Sequence, residues 1–332
     1  MIISKTPYRI SFFGGGSDYP DWYNKEQNYG EVISTTINRY LYISCRKLPP
    51  FFNHKFRICY SKIEQTKSID EIKHIVVRKA LKIYKIKEGL EIHYDGDMPS
   101  RSGVGSSSSF VVGLLNILNV YKSNYLSKKN LAALSVNFEH KVLKESVGSQ
   151  DQIAVSYGGF NIIKMKKNFF TVKNLNNNEN NSYFSKLNKN LVLVYTGQSR
   201  ISQNIAKTFT TQLINTKKKN ILKILDHVQL AKKIIKKKTL DDFGLLLNET
   251  WQEKRKLSGS ISTDLIDKLY NLAIKNGALG GKILGAGGGG FLLFYVPQSQ
   301  QKKFLLNFKD YVNVPFTFST EGSKIILNNN KK

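Results

Sequence analysis

Residues 98–110 read MPSRSGVGSSSSF, and they stand between a strand-like run (Leu90, Ile92, Tyr94) and an apolar helical pattern on Val111, Val112, Leu114, Leu115, Ile117 and Leu118. Gly103 and Gly105 permit a tight turn and a close backbone approach to a ligand. Four consecutive serines, Ser106 to Ser109, put hydroxyls and free N–H groups at the positive end of a helix dipole, where an anion is favoured. The stretch therefore reads as a phosphate cradle. It equally describes a Ser-rich N-cap on a core helix, so the choice depends on the rest of the chain.

Two other stretches bear on it. Lys5 to Tyr19, KTPYRISFFGGGSDY, is a strand-forming run that ends in three glycines and the polar Ser17, Asp18 and Tyr19, which could meet a sugar. Gly280 to Phe291, GGKILGAGGGGF, lies between a helical pattern (Leu265, Ile266, Leu269, Leu272, Ala273, stopped at Gly277) and the strand-like Phe291 to Val296. Gly285, Gly287 and Gly290 satisfy the dinucleotide spacing G-x-G-x-x-G, but a dinucleotide fold needs a strand before the loop and a helix after it, the reverse of the order here. There is no G-x-x-x-x-G-K-[ST] phosphate loop and no H-R-D or D-F-G set.

In this order the three stretches resemble the GHMP kinase superfamily, over nearly the whole chain. Within it the likeness is to the D-glycero-D-manno-heptose 7-phosphate kinases, carried by TPYRISFFGGGSDYP, MPSRSGVGSSSSF, VGSQDQIAVSYGG, TGQSR and GGKILGAGGGGF. The galactokinase pattern of Pro-Gly-Arg and Gly-Glu-His-x-Asp is replaced by Pro-Tyr-Arg and Gly-Gly-Gly-Ser-Asp, which argues against galactose. The resemblance implies a two-lobed α+β fold: an N-terminal ATP-binding domain over 1–185, a ferredoxin-like C-terminal domain over 186–332, and an active site between them. It also implies ATP and Mg²⁺ as cofactors, small-molecule substrates as partners, and transfer of a phosphoryl group to the anomeric hydroxyl of the heptose phosphate. Another sugar 1-kinase, such as an L-fucokinase, would carry the same phosphate loops. A non-catalytic sugar and ATP sensor on a kinase fold is the reading from a different class.

Phosphoryl transfer requires positioning, charge neutralisation and an acceptor for the hydroxyl proton. Ser149-Gln150-Asp151-Gln152 fits a capping box, with Ser149 as N-cap and Gln152 three residues on, which sets Asp151 in the first helical turn as an ionised carboxylate. An ordinary helix-start Asp has the same spacing; the resemblance makes Asp151 the catalytic one. By resemblance Arg9 lies beside the reacting groups and orients Asp151, although an Arg on a strand is commonly a surface or ion-pair residue. Implied for the nucleotide are Arg101, Gly103, Val104, Gly105, Ser106, Ser107 and Ser108, and for the metal Ser107 and Glu139, the latter equally a solvated helix carboxylate. For the sugar they are Gly15, Gly16, Ser17, Asp18, Tyr19, Arg200, Gly285, Ala286, Gly287 and Gly288. Arg200, Lys254, Arg255 and Lys282 are alternatives for holding the sugar's phosphate.

Composition agrees with a globular enzyme. A chain of 332 residues exceeds one ordinary core, and 19 Phe with 17 Tyr supply a packed interior. The net charge of +27 raises nucleic-acid binding. The lysines, however, are scattered on exposed-looking positions such as Lys217–Lys219 and Lys236–Lys238 rather than gathered beside stacking aromatics, so no specific nucleic acid is expected. Cys45 and Cys59 form no disulfide framework and no spaced metal motif with histidine. The start MIISKTPYRISFF lacks a signal-peptide layout, and no apolar run nears the roughly 20 residues of a membrane span. A cytoplasmic protein without a membrane partner is expected.

The periodicity predicts strands at Ile33–Ile37, Tyr40–Arg46, Phe56–Tyr60 and Leu191–Tyr195. Helices are predicted over Ile69–Tyr84, from Ser127 through Val142, over Ile221–Ile235 with lysines opposite its apolar stripe, and over Phe243–Lys256 and Thr263–Lys275. The Asn-rich Asn174–Asn190 reads as a loop or hairpin insert and the domain boundary.

Overall fold

A computed structural model describes residues 1–198, 213 and 216–329. Its larger layer is a mixed sheet built around two long strands, β1 (Ile2–Phe13) and β2 (Gly30–Lys47), paired antiparallel from Ile2↔Cys45 to Phe13↔Ile33. The two predicted strands at 33–37 and 40–46 are thus one. The sheet also takes in β3 (Phe56–Cys59), β4 (Ile63–Thr66), β5 (Leu90–Gly96), β6 (Phe160–Lys166) and β7 (Phe169–Asn174). From the far end of the chain β11 (Phe318–Ser319) joins it beside β2, and β12 (Lys324–Asn328) beside β1. Apart from the parallel β3–β5 pair, its ladders are antiparallel.

Short α1 (Pro20–Tyr23) follows the first glycine loop, and α2 (Ile75–Ile83) begins only after His74, whose ring caps Val77 N–H, so the predicted helix from Ile69 loses its first turns. Helix α3 (Ser106–Tyr121) is buried from Ser108 to Val120. At Gly113 a Cβ would stand 2.9 Å from Thr6 Oγ1, so the missing side chain is what lets α3 lie close on β1. Helix α4 (Lys128–Asn137) starts as expected at Ser127, whose hydroxyl accepts from Asn130 N–H. It then widens into a π-helical turn, Phe138–Leu143, and α5 (Gln150–Tyr157) follows.

The Asn174–Asn190 loop expectation is corrected by α6 (Asn178–Lys189), capped by Asn177. Its buried Tyr183, Phe184 and Leu187 share one face, and burial of each is worth about 2 kcal/mol, which outweighs the modest helix propensity of asparagine. Phe184 stacks on Phe160 of β6 at 4.1 Å, and Phe160 on Phe12 of β1 at 5.3 Å. Phe12 meets Phe243 edge-on at 5.2 Å, so one aromatic column crosses from the first half of the chain to the second.

The second layer is a three-stranded antiparallel sheet in the order β8 (Leu191–Tyr195), β10 (Phe291–Tyr295), β9 (Gly280–Ile283). With it go α7 (Lys218–Lys237), α8 (Asp241–Arg255), α9 (Asp264–Lys275) and α10 (Gln298–Asn307), of which α7 packs on α8 and on β1 and β2 of the larger sheet. The last glycine loop is therefore a link between two antiparallel strands, which removes the dinucleotide-binding reading. Among the described residues no helix is long and apolar enough to cross a membrane.

Candidate active site

Three glycine-rich loops converge on one cleft of about 330 Å³. Their contact is direct: a Cβ on Gly285 would sit 2.7 Å from Gly103 Cα, and one on Gly103 would sit 2.4 Å from the Leu284 carbonyl oxygen. Both glycines have positive φ, at +71° and +85°, so the two loops lie back to back only because neither carries a side chain.

Arg9 marks the centre. The register of β1 on β2 shifts between Pro7 and Arg9, which frees the Arg9 N–H to donate to Val104 O at 3.0 Å. The Arg9 side chain is 4% exposed. Its guanidinium donates from Nε to Asp151 Oδ1 at 2.7 Å, from Nη2 to Asp151 Oδ2 at 2.6 Å, and from Nη1 to Gly103 O at 2.5 Å. This bidentate pair links residues 142 apart in sequence.

Asp151 stands in the first turn of α5, as the spacing predicts, but the capping box is not made. Ser149 Oγ pairs with Tyr23 Oη at 2.6 Å, and Gln152 Nε2 donates to Glu139 Oε2 at 2.6 Å. Tertiary partners took both side chains away from the local motif.

Glu139 sits in the π-helical turn, buried to 1%. Burial and the nearby Glu145 push its carboxyl up to about 8, while the Ser108 hydroxyl and Gln152 pull it down. Its Oε1 is buried without a hydrogen-bond partner. Ser107 is exposed at the mouth of the same cleft, whereas Ser108 is buried. An orphaned carboxylate oxygen beside serine hydroxyls is an oxygen donor set that suits a hard divalent cation.

Asp18 closes the opposite wall. Its carboxylate accepts from Gly16 N at 2.9 Å and from Gln150 Nε2 at 2.8 Å, and its carbonyl accepts from Ser149 N at 2.9 Å. Burial chiefly raises its pKa, with the charge of Asp151 adding to the effect. Ser11 Oγ and Gln150 Oε1, both on cleft-lining residues, are buried polar atoms without partners.

Of the residues singled out from sequence, Gly15, Gly16, Asp18, Tyr19, Arg101, Gly103, Gly105, Ser106, Ser107, Ser108, Glu139, Asp151, Gly285 and Ala286 line the cleft with Arg9. Ser17 and Val104 are buried behind it: Ser17 Oγ donates to Gly14 O at 2.8 Å, and Val104 offers only its carbonyl, to Arg9. Gly287 and Gly288 pack on Ile261 rather than the cleft, with Gly288 N donating to Ile261 O at 2.8 Å. Arg200 lies outside the described residues. Of the other basic candidates, Lys254 and Lys282 line the cleft, whereas Arg255 pairs with Asp267 at 2.8 Å and lies over Trp251. Sequence reasoning missed Ser11, Gly148 and Gln150; the Gly148-Ser149-Gln150 run beside Asp151 was the available signal.

A second grouping lies on the open sheet face, where the β3–β5 register sets Cys59 opposite His93, with Glu91 two residues away. Spacing alone did not reveal it. Glu91 is already held by Arg46 at 2.5 Å, Arg57 at 2.8 Å and His93 at 2.8 Å.

A serine-rich helix start, a bidentate Arg–Asp pair and a buried carboxylate in one cleft of a two-lobed α+β fold define a phosphotransferase site. Comparison with known proteins agrees. The family model "GHMP kinases N terminal domain" matches residues 72–159, and "GHMP kinases C terminal" matches 230–313. The chain belongs to the GHMP kinase family and is an ATP-dependent phosphotransferase acting on a sugar hydroxyl. It is 29% identical to a D-glycero-alpha-D-manno-heptose 7-phosphate kinase of Campylobacter jejuni, over 97% of this chain and 98% of that one. It is 26% identical to a bifunctional fucokinase/GDP-fucose pyrophosphorylase of Arabidopsis thaliana, over 90% of this chain but 30% of the larger protein. Among solved structures, a D-glycero-D-manno-heptose 1-phosphate kinase from Bacteriodes thetaiotaomicron superposes with a TM-score of 0.77 at 23% identity, covering 99% of both chains.

Proposed function

We propose that the protein phosphorylates the anomeric hydroxyl of D-glycero-D-manno-heptose 7-phosphate, giving the 1,7-bisphosphate for nucleotide-activated heptose synthesis in the cytoplasm. The observation that carries this reading is the Arg9–Asp151 pair, set between the Ser-rich start of α3 and a wall of unsatisfied polar atoms. Those atoms, with the Asp18 carboxylate, suit a polyhydroxylated acceptor. Full-length similarity to a heptose 7-phosphate kinase supports the particular sugar.

In this reading the backbone N–H groups at the start of α3 and the Ser106–Ser108 hydroxyls hold the ATP phosphates, with Arg101 at the mouth. Residues 1–185, joined by the returning strands β11 and β12, form the nucleotide-binding part, and the domain that begins at 186 closes the cleft. The sugar oxygen attacks the γ-phosphorus, the bond to ADP breaks, and the hydroxyl proton passes to Asp151. Arg9 holds both carboxylate oxygens and so fixes the acceptor of that proton. Ser107 and Glu139 would hold Mg²⁺, with Ser108 beside them. A bound Mg²⁺ supplies charge neutralisation on the phosphates.

Phosphorus NMR of the protein with Mg²⁺, ATP and the heptose 7-phosphate, beside L-fucose, galactose and mannose 6-phosphate, tests the assignment. A new anomeric phosphate from the heptose alone is expected. Turnover confined to another sugar would overturn the heptose assignment, and the fucokinase similarity makes L-fucose the first rival.

A further inference from the structure

We propose that Lys254, in the last turn of α8, is a second cation of the phosphotransfer centre, its ammonium joining the Arg9 guanidinium on the phosphoryl group in flight. The inference rests on phosphotransfer itself and not on which sugar accepts. Three observations place Lys254 there.

Position is the first. Lys254 is 7% exposed and lines the cleft together with Arg9 and Asp151. Its Nζ donates to the carbonyl of Gly285, while Arg9 Nη1 donates to the carbonyl of Gly103. Gly103 and Gly285 are the residues at which the two loops touch. The two cations therefore hang from abutting loops and bracket one point, at the phosphate-loop end of the cleft.

Partnership is the second. An ammonium has three donors, and among the described residues the hydrogen-bond partner of Lys254 is a neutral carbonyl. The other buried lysine of the cleft, Lys282, is turned into the wall, donating to Ser11 O at 3.0 Å and Phe12 O at 2.8 Å. Arg255, next in sequence, is spent on Asp267. A buried cation without an ion-paired carboxylate is costly unless an anion arrives to meet it.

The surrounding field is the third. Burial and the positive charge of Arg9 push the Lys254 ammonium down to about 8, while Asp18 and Asp151 pull it back up; Lys282 is the further cation close enough to feel it. An incoming phosphate adds negative charge and restores the ammonium. In the reaction the new bond is sugar oxygen to phosphorus, the broken one is phosphorus to ADP, and the proton goes to Asp151. Lys254 keeps its protons and offsets charge on the equatorial oxygens.

Steady-state kinetics of wild type, Lys254→Met and Lys254→Arg test this, using whichever sugar the wild type phosphorylates, so that failure of the heptose assignment leaves the test standing. Lys254→Met should lower kcat about 100-fold, the usual loss for one such donor, with KM for ATP and sugar within about threefold. The wild-type kcat/KM should fall as pH rises through about 8, and Lys254→Arg should keep part of the activity without that alkaline limb. A kcat for Lys254→Met within about threefold of wild type would overturn the proposal. So would an unchanged kcat with a raised sugar KM, which moves Lys254 to the acceptor's own phosphate. An alkaline limb that persists in Lys254→Arg would overturn it too. If Lys254→Met loses ADP binding and unfolds early, the pH profile of Lys254→Arg decides alone.

Discussion

Gly148→Ala isolates one contact. Gly148 is not among the positive-φ glycines, so alanine suits its backbone and the new methyl acts only through what it meets. The Cβ would stand 1.9 Å from Asp18 Oδ2 and 2.6 Å from its Cγ, where ordinary contact begins at 3.4 Å. The carboxylate must retreat by about 1.5 Å or the Gly148–Asp151 segment must move by as much. Either motion breaks the bond from Gln150 or that from Gly16 to a buried carboxylate, which costs about 2–4 kcal/mol with the overpacking included. A shift of that size beside the reacting groups should lower kcat/KM for the sugar about 100-fold. Denaturant unfolding reads the first quantity and steady-state kinetics the second. In Asp18→Ala the side chain ends at Cβ, short of the methyl, so adding Gly148→Ala to it should change stability by less than about 0.5 kcal/mol. Gly148→Ala alone with wild-type stability and wild-type sugar kinetics would refute the reasoning.

Asp151→Asn should lower kcat by about 10²–10⁴ while ATP affinity, measured by calorimetry, stays within a few-fold, because asparagine can neither accept the proton nor take both guanidinium bonds. Glu139→Gln should raise the Mg²⁺ concentration needed for half-maximal turnover about tenfold, read by a Mg²⁺ titration at fixed ATP. Glu91→Gln tests the outer sheet face. Burial raises the Glu91 pKa, but hydrogen bonds and charge from His93 and Arg46 outweigh it, and the net shift is downward from 4.5. A depressed carboxyl contributes stability that is complete above pH 4.5 and is lost as pH falls through the folded-state value. Since Arg46 and Arg57 are 45% and 34% exposed, the variant should lose about 2 kcal/mol at neutral pH. That difference should shrink in acid unfolding curves as pH falls below 4.5.

Local signals carried far in this chain. The Gly-x-Gly-Ser start of α3, the Ser127 cap and the apolar stripes of α7 and α9 depend on near neighbours in sequence, and each stands where periodicity and capping put it. Arg9, Asp18, Glu139 and Asp151 were legible as chemistry-bearing residues through the family resemblance; composition and capping by themselves marked only the glycine loop of Asp18 and the helix start of Asp151. Their convergence was not legible. It depends on the slip of β1 at Arg9, on a π-helical turn that aims Glu139 inward, and on two side-chain-free loops that touch. Tertiary partners overrode local rules at Ser149 and Gln152, and burial of three side chains made a helix of an asparagine-rich stretch. The return of β11 and β12 to the first sheet, the pairing of Cys59 with His93 across strands, and the choice of Lys254 over Arg255 all rest on contacts between residues distant in sequence. The amino-acid order determined which groups the protein possesses and most of its local turns, because backbone preference and side-chain chemistry act over a few residues. Only the packed fold decided which groups face one another, because burial and close approach are properties of the whole chain.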